Sequence, residues 1–404
     1  MALNSIYAPQ DLSLHETKLT GLFETVEVGG KKILRPSHQG DAENDLMTRT
    51  ILGPSATPTF AAAKDSSAAT FTIHKSDLEG TIKKIIVQLP LTPSASTAGY
   101  WAGAIKNVIY KLPGNVKLLA VNPIPLMIYH TMNTTDDDLV KNAGPKGFGA
   151  AWANLTITAE TYFYIDITGP LKAMRLNNCY LDGDIVVEFN LTKYTEFMDQ
   201  TSTQTLTLGS DFKLIVDWVK VDDEQKRLYS EAYGKGIDIN YPEIVEVNPL
   251  TITGASEKSD KMGLTAGLTA GLILAASYPA EDVQAAAFDY SAIAKFRITD
   301  TAGSSIGFTN ADVYYNSNLY WSEYANMFPS SFCFKKNIYV VPLQCGNIHK
   351  VLCDGSYQGG WTATSSDNIK ITSVANATVL NIYQIMYKKL HVQNGVFVEN
   401  RNAL

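Results

Sequence analysis

The sequence predicts an all-β protein built as two sandwich domains with a strand–helix hinge between them. Three observations carry this. Residues 211–233, DFKLIVDWVKVDDEQKRLYSEAY, lie just past the midpoint of 404 residues and read as one strand running straight into one short helix. Short apolar-alternating segments, separated by Gly, Pro and Asx turn signals, flank that unit on both sides, at the spacing of β-sandwiches. The length suits two domains of roughly 150–200 residues each.

In the central unit Phe212, Leu214, Val216 and Trp218 alternate onto one face, the period of a strand. Asp222 offers an N-cap carboxylate with Gln225 three residues on, as in a capping box. Asp223 and Glu224 place negative charge on the positive end of the helix dipole. Asp223 and Arg227 are spaced i,i+4 and can pair. Gly234 then supplies a C-terminal stop.

Ahead of this unit, residues 1–65 are polar, punctuated by Pro9, Pro36, Pro54 and Pro58, and read as an arm or an edge element. Within them, 11–24 fits one short amphipathic helix. Residues 81–89, TIKKIIVQL, form a strand closed by Pro90. Residues 105–112 and 116–121 form a hairpin around Pro113-Gly114-Asn115. Residues 123–129 start a further strand, followed by a long loop marked by Asp136-Asp137-Asp138 and Gly144-Pro145-Lys146-Gly147. The run 162–167 alternates through Phe163, Ile165 and Ile167, and 184–191 through Ile185, Val187, Phe189 and Leu191. Behind the hinge, 244–252, 293–298, 338–343, 369–374 and 379–392 read as strands, with short helical patches at 281–288 and 319–327. The second patch, LYWSEYANM, brings Tyr320, Trp321 and Tyr324 together.

A small tandem, GLTAGLTAG at 263–271, runs on into Leu272-Ile273-Leu274-Ala275-Ala276, with no charge between Lys261 and Glu281. The uncharged run approaches the length of a membrane span. Its Gly and Thr content, Ser277, Pro279 and the β flanks argue instead for a buried or subunit-contacting loop or strand. Candidates for outward loops are 130–155, 254–290 and 355–368.

Composition limits the function classes. Forty-five per cent apolar residues suffice for ordinary cores, while 18% charged is low against the usual ~25%. Few charges fit a surface consumed by subunit contacts, or else a Ser/Thr-rich globular surface. Net charge is −7, and no Lys/Arg run exceeds two residues, so the basic face of a phosphate-tracking protein is missing from the sequence. Four cysteines, Cys179, Cys333, Cys345 and Cys353, are no disulfide scaffold. The segment MALNSIYAPQDLSLHE lacks the basic and apolar regions of a secretory signal, so cytosolic synthesis is expected.

No chemistry stands out. Phosphate-loop, dinucleotide, zinc-protease and nucleophile-elbow motifs are absent. Cys345-x3-His349-x3-Cys353 would share a face on a strand and carries soft ligands, but no fourth ligand is evident. Ordinary buried hairpin residues are the favoured reading there. Asp136–Asp138 lacks a calcium-loop pattern, and Asp182-Gly183-Asp184 suits a tight turn. No catalytic, cofactor or metal residue is assigned.

Three stretches resemble the double jelly-roll major capsid proteins of tailless icosahedral double-stranded DNA viruses, the lineage of nucleocytoplasmic large DNA viruses, virophages, tectiviruses and adenoviruses. The first is Ser76-Asp77-Leu78, the 82–89 strand and Pro90, followed by Tyr100-Trp101 and the 105–112 strand. The second is Tyr162-Phe163-Tyr164-Ile165, then Leu176-Asn177-Asn178-Cys179-Tyr180-Leu181 and the 184–190 strand. The third, residues 214–228, resembles the strand, acidic helix start and basic helix that leave the first roll. The similarity covers most of 75–235, and residues 328–343 resemble later strands of the second roll.

The resemblance implies two consecutive eight-stranded jelly-roll β-sandwich domains with short helices in connecting loops. Residues 1–65 would be an N-terminal arm, 66–221 the first roll, 222–236 the helical connector and 237–404 the second roll. It implies a structural protein, not an enzyme: a major capsid subunit forming pseudo-hexagonal homotrimers in an icosahedral shell, with no cofactor. Partners would be neighbouring capsomers, minor capsid and penton proteins and, optionally, an internal membrane, with no sequence-specific nucleic acid. The place would be the virion, after synthesis in host cytoplasm. Assembly or connector roles fall on Trp101, Trp218, Asp222, Arg227, Tyr320, Trp321 and Tyr324. The alternatives are a minor or penton-type component of the same fold and a carbohydrate-binding β-sandwich.

Overall fold

The computed structural model describes residues 23–28, 31–36, 47–56, 58–61, 66–78, 80–121, 124–133, 154–198, 204–221, 223–252, 258–277, 290–291, 293–306, 338–343, 348–355, 359–373 and 379–399. The hairpin β1 (Phe23–Val28) and β2 (Lys31–Pro36) comes first. Eleven further strands precede the connector: β3 (Met47–Leu52), β4 (Ser66–Ile73), β5 (Gly80–Pro93), β6 (Thr97–Tyr100), β7 (Ile105–Leu112), β8 (Val116–Val121), β9 (Asn154–Ile157), β10 (Thr161–Asp166), β11 (Ile185–Leu191), β12 (Leu206–Leu208) and β13 (Lys213–Lys220). Eight of them form two facing sheets, ordered β10-β5-β13-β3 and β4-β11-β7-β8. Counted along the chain, the first of the eight pairs with the last (β3 with β13), the second with the seventh (β4 with β11), the third with the sixth (β5 with β10), and the fourth with the fifth (β7 with β8). This nesting is one long hairpin rolled up on itself, the jelly roll.

The helix Asp223–Lys235 follows, and the pattern then recurs. The second set is β14 (Ile237–Thr251), β15 (Lys258–Lys261), β16 (Gly267–Ser277), β17 (Tyr290–Ser291), β18 (Ile293–Thr299), β19 (Tyr339–Pro342), β20 (Trp361–Ala363), β21 (Asn368–Ser373), β22 (Val379–Gln393) and β23 (Val396–Glu399). Its sheets run β14-β22-β16-β17, with β19 also on β16, and β15-β21-β18. Again the first long strand pairs with the last, β14 with β22 over almost their whole length. The second, β15, pairs with β21, and the third, β16, with β19.

Two apolar clusters organise the interior. One fills the second sandwich and includes Leu272, Leu274, Ala276, Ile298, Ile371 and Ile382. The other fills the first sandwich and continues across into Ala270, Ile273, Ala275, Tyr241, Ile385 and Tyr387 of the second. The sheet β14-β22-β16 is therefore covered on both faces: one side faces its own sandwich and the other faces the first roll. A strand in that position reads as a continuous apolar run rather than an alternation. This accounts for the tandem at 263–271, whose second half enters β16 with Thr269 to Ala276 all buried. A register shift between Thr269 and Gly271 puts Ala270 with Ile273 and Ala275, the re-aiming that a bulge performs.

Several expectations are corrected. Residues 123–129 are not a strand: Ile124–Asn133 is a helix, every residue from Ile124 to Tyr129 being buried. A short apolar run buried all round has no period to distinguish it, and Pro125 is tolerated in a first helical turn. Pro90 does not close its strand; β5 runs on to Pro93, and Pro90 faces Tyr162 in the ladder. The outward-loop assignment at 254–290 fails over β16, the central strand. The stretch 1–65, expected as arm or edge, contributes β3, an edge strand of the first sheet. Its Arg49 meets Asp217 of β13 through Nε at 2.7 Å and Nη2 at 2.9 Å. The helical patches expected at 281–288 and 319–327 lie outside the described residues, as does the helix expected at 11–24 except for its last two residues, Phe23 and Glu24, which begin β1 instead.

Candidate functional site

The site that gives this molecule its character is the junction between its rolls. The connector helix Asp223–Lys235 begins one residue beyond Val221 and Asp222, after β13. Trp218 on β13 is 8% exposed and donates from Nε1 to Thr50 Oγ1 of β3 at 3.0 Å. The helix buries Leu228, Tyr229 and Tyr233. Tyr229 and Tyr233 are four residues apart, so they share a helix face. Both rings pack on Tyr180 of the first roll, at centroid separations of 5.6 and 6.0 Å. Asp223 is fully solvated and pairs with Lys226 at 3.6 Å, i,i+3; such an exposed pair contributes little. The helix runs through Gly234, and the stop is Gly236, whose φ of +97° is a left-handed C-terminal conformation. Gly236 lies against the His391 ring, where a Cβ would stand 3.0 Å from it.

Directly after that stop, β14 carries a buried carboxylate. Asp238, 2% exposed, accepts from Lys389 Nζ at 2.7 Å and from His391 Nδ1 at 2.8 Å, both on β22. Burial alone would raise its pKa; the hydrogen bonds from Lys389 and His391 outweigh burial and hold it below the ordinary value. Further along the same strand pair, Glu243 meets Lys388.

Three helices fill the space between rolls: Ile124–Asn133, Leu171–Met174 and Ile348–Asp354. Tyr129 is 2% exposed, and burial pushes its phenol pKa well up. Gly355, at φ +65°, ends the last helix against the carbonyls of Asn240 and Ala173, one from each roll. The Cys345–His349–Cys353 run is corrected here: it does not lie on a strand, because 348–354 is a helix. Cys353 is a buried thiol on that helix, and Cys345 lies outside the described residues. Among the described residues no group of three or more His, Cys, Asp or Glu could hold a metal, and no helix is long and apolar enough to cross a membrane.

The junction is completed by the hairpin β22–β23. Gln393 pairs with Val396, leaving a two-residue loop, Asn394-Gly395, with φ of +51° and +75°, the signs that a type I′ turn requires. This hairpin reaches back to the connector helix at one point and to the first roll at two. Asn394 N donates to Tyr233 O at 2.9 Å, Asp182 N to Gly395 O at 2.8 Å, and Phe397 N to Pro113 O at 3.0 Å. A Cβ on Gly395 would stand 2.5 Å from both Asp182 N and Tyr180 O.

Of the residues singled out from sequence, Trp218 lies on the last strand of the first roll and Arg227 is exposed on the connector. Trp101 is corrected: it is not a surface or connector group but a core residue, 0% exposed, stacked on Phe163 at 5.8 Å and donating from Nε1 to Leu155 O at 2.8 Å. Asp222, Tyr320, Trp321 and Tyr324 lie outside the described residues. Sequence reading missed Tyr180, Tyr229, Tyr233, Asp238, Lys389, His391 and Gly395. Two signals were present: tyrosines at i,i+4 on a predicted helix, and Asn-Gly between apolar-rich flanks, a hairpin mark.

No protein-family model matches the sequence, and no curated protein matches it. Solved structures do share the fold. The chain is similar to PBCV-1 VP54 as fitted into a reconstruction of the virophage Sputnik, with a TM-score of 0.60, 13% identity, and 88% of this chain and 96% of that one covered. It is similar to the Faustovirus major capsid protein, with a TM-score of 0.56, 9% identity, and 86% and 90% covered. It is similar to the capsid-protein structure of Sulfolobus Turreted Icosahedral Virus, with a TM-score of 0.50, 12% identity, and 85% and 96% covered. The fold is thus a double jelly roll, shared along nearly the whole chain with viral capsid proteins.

Proposed function

We propose that this chain is the major capsid protein of an icosahedral virus, a structural subunit without catalytic activity. The observation that carries the reading is the joining of two jelly rolls into one body by a shared apolar core and by backbone hydrogen bonds from the β22–β23 hairpin, in the fold of solved capsid proteins. Two rolls per subunit give six similar sandwiches around a threefold axis, so a homotrimer presents a pseudo-hexagonal outline that tiles a closed shell. Closed symmetry of this kind is the rule for soluble homo-oligomers. The low charge content, 18%, fits a surface spent on contacts, since interface cores are depleted in charged residues. Its partners are then neighbouring capsomers, minor capsid and penton proteins and, where present, an internal membrane. Its place is the virion, after synthesis in the host cytoplasm.

Analytical ultracentrifugation of the purified chain tests this. Sedimentation at three times 44.2 kDa is expected; a monomer that persists at micromolar concentration contradicts it.

A further inference from the structure

We infer that the Asn394–Gly395 hairpin is a strap that locks the two rolls at a fixed angle and opens as a unit, separately from either sandwich. Three observations support it. Within four residues, Asn394 to Phe397, the hairpin makes three backbone hydrogen bonds to parts outside its own sheet: the connector helix at Tyr233, the turn at Asp182 and the hairpin turn at Pro113. The approach is too close for side chains on both sides, since a Cβ on Gly395 would meet Asp182 N and Tyr180 O, and a Cβ on Gly114 would stand 2.1 Å from Phe397 O. Finally, the tip of the strap, Asn394 to Val396, extends past the end of the β14–β22 ladder, whose last pair is Ile237 with Val392. It can leave the first roll without breaking that ladder.

The function of such a strap rests on the capsid reading. A trimer of double rolls is regular only when the angle inside each subunit is the same, and an unseated strap leaves that angle free. Seating of residues 394–397 is then a condition for assembly.

The test compares two glycine substitutions in the full chain. Gly395→Ala adds both a left-handed strain and a backbone clash. Gly303→Ala adds the same kind of strain, at φ +84°, with nothing within 4 Å to clash. Hydrogen exchange followed by mass spectrometry reads the amides of Asp182, Asn394 and Phe397. Gly395→Ala should speed their exchange by about tenfold or more while β5, β13, β16 and β22 stay protected, and Gly303→Ala should not. Equal effects from both variants, or equal loosening of the central strands by Gly395→Ala, overturn the inference.

If Gly395→Ala does not fold, the unsubstituted chain serves. In low urea the three amides should exchange together, ahead of the central strands; exchange only with global unfolding overturns the strap. The same samples, run for oligomeric state, separate the two claims. Loss of trimer in Gly395→Ala supports the coupling, and a loosened strap with full trimer overturns it. Absence of trimer in the unsubstituted chain removes the capsid reading and leaves the strap to stand on exchange.

Discussion

Asp238 shows how a single residue holds the first and last long strands of the second roll together and why its hold depends on pH. It is buried, yet it stays ionised because Lys389 and His391 both donate to it. Its folded pKa lies below its unfolded value, which is about 3.9. Its contribution is therefore whole above that value and is lost as pH falls through the lowered folded pKa. Replacing Asp238 with Asn deprives Lys389 of its carboxylate and should cost about 3–5 kcal/mol at neutral pH, as breaking one partner of a buried pair does. Urea titrations at neutral pH and below pH about 4 check both points: the gap between the two proteins should narrow on acidification, and a constant gap refutes the assignment. Trp101 works at the same scale in the other direction. Because it is wholly buried in the first sandwich, Trp101→Ala should lower stability by about 3–5 kcal/mol. In urea the loss should appear in the first roll.

Among the elements, the connector helix is where sequence and structure meet most closely. Its strand, acidic start and basic turns were legible because period-2 alternation and helix-end chemistry are local signals. Its docking was not, since Tyr180 is brought to Tyr229 and Tyr233 only by the fold. Tyr233→Ala should remove about 3 kcal/mol of packing and expose helix amides to exchange while β13 remains protected. Unchanged exchange across 223–235 would show that the tyrosines do not hold the helix. The strands of the first roll with clean alternation, such as β11, were read to within a residue. Residues 124–129 at the start of the helix and 269–276 of the strand β16 were harder for one shared reason: both runs are buried throughout, which erases the polar half of the pattern. Pro90 misled because proline ends a central strand only where its missing N–H is needed. Gly236, not Gly234, ends the helix, because it is Gly236 that takes the left-handed conformation, and it does so beside His391, which lies far away in sequence.

At the scale of the whole molecule, the two rolls repeat one nested pairing scheme and are fused through a common apolar core rather than hung on a linker. A flexible link would let the rolls pivot; the shared core and the hairpin at Asn394-Gly395 oppose that. Rigidity is what a lattice subunit needs, since angular error in one copy is multiplied across a shell. The central claim is that this rigid double roll is the building block of a pseudo-hexagonal trimer. Electron cryo-microscopy of the purified full-length protein tests it most directly. Threefold particles showing six sandwich-sized densities in a hexagonal outline are the predicted result. Class averages showing isolated double rolls at micromolar concentration, or oligomers without a threefold axis, would contradict it.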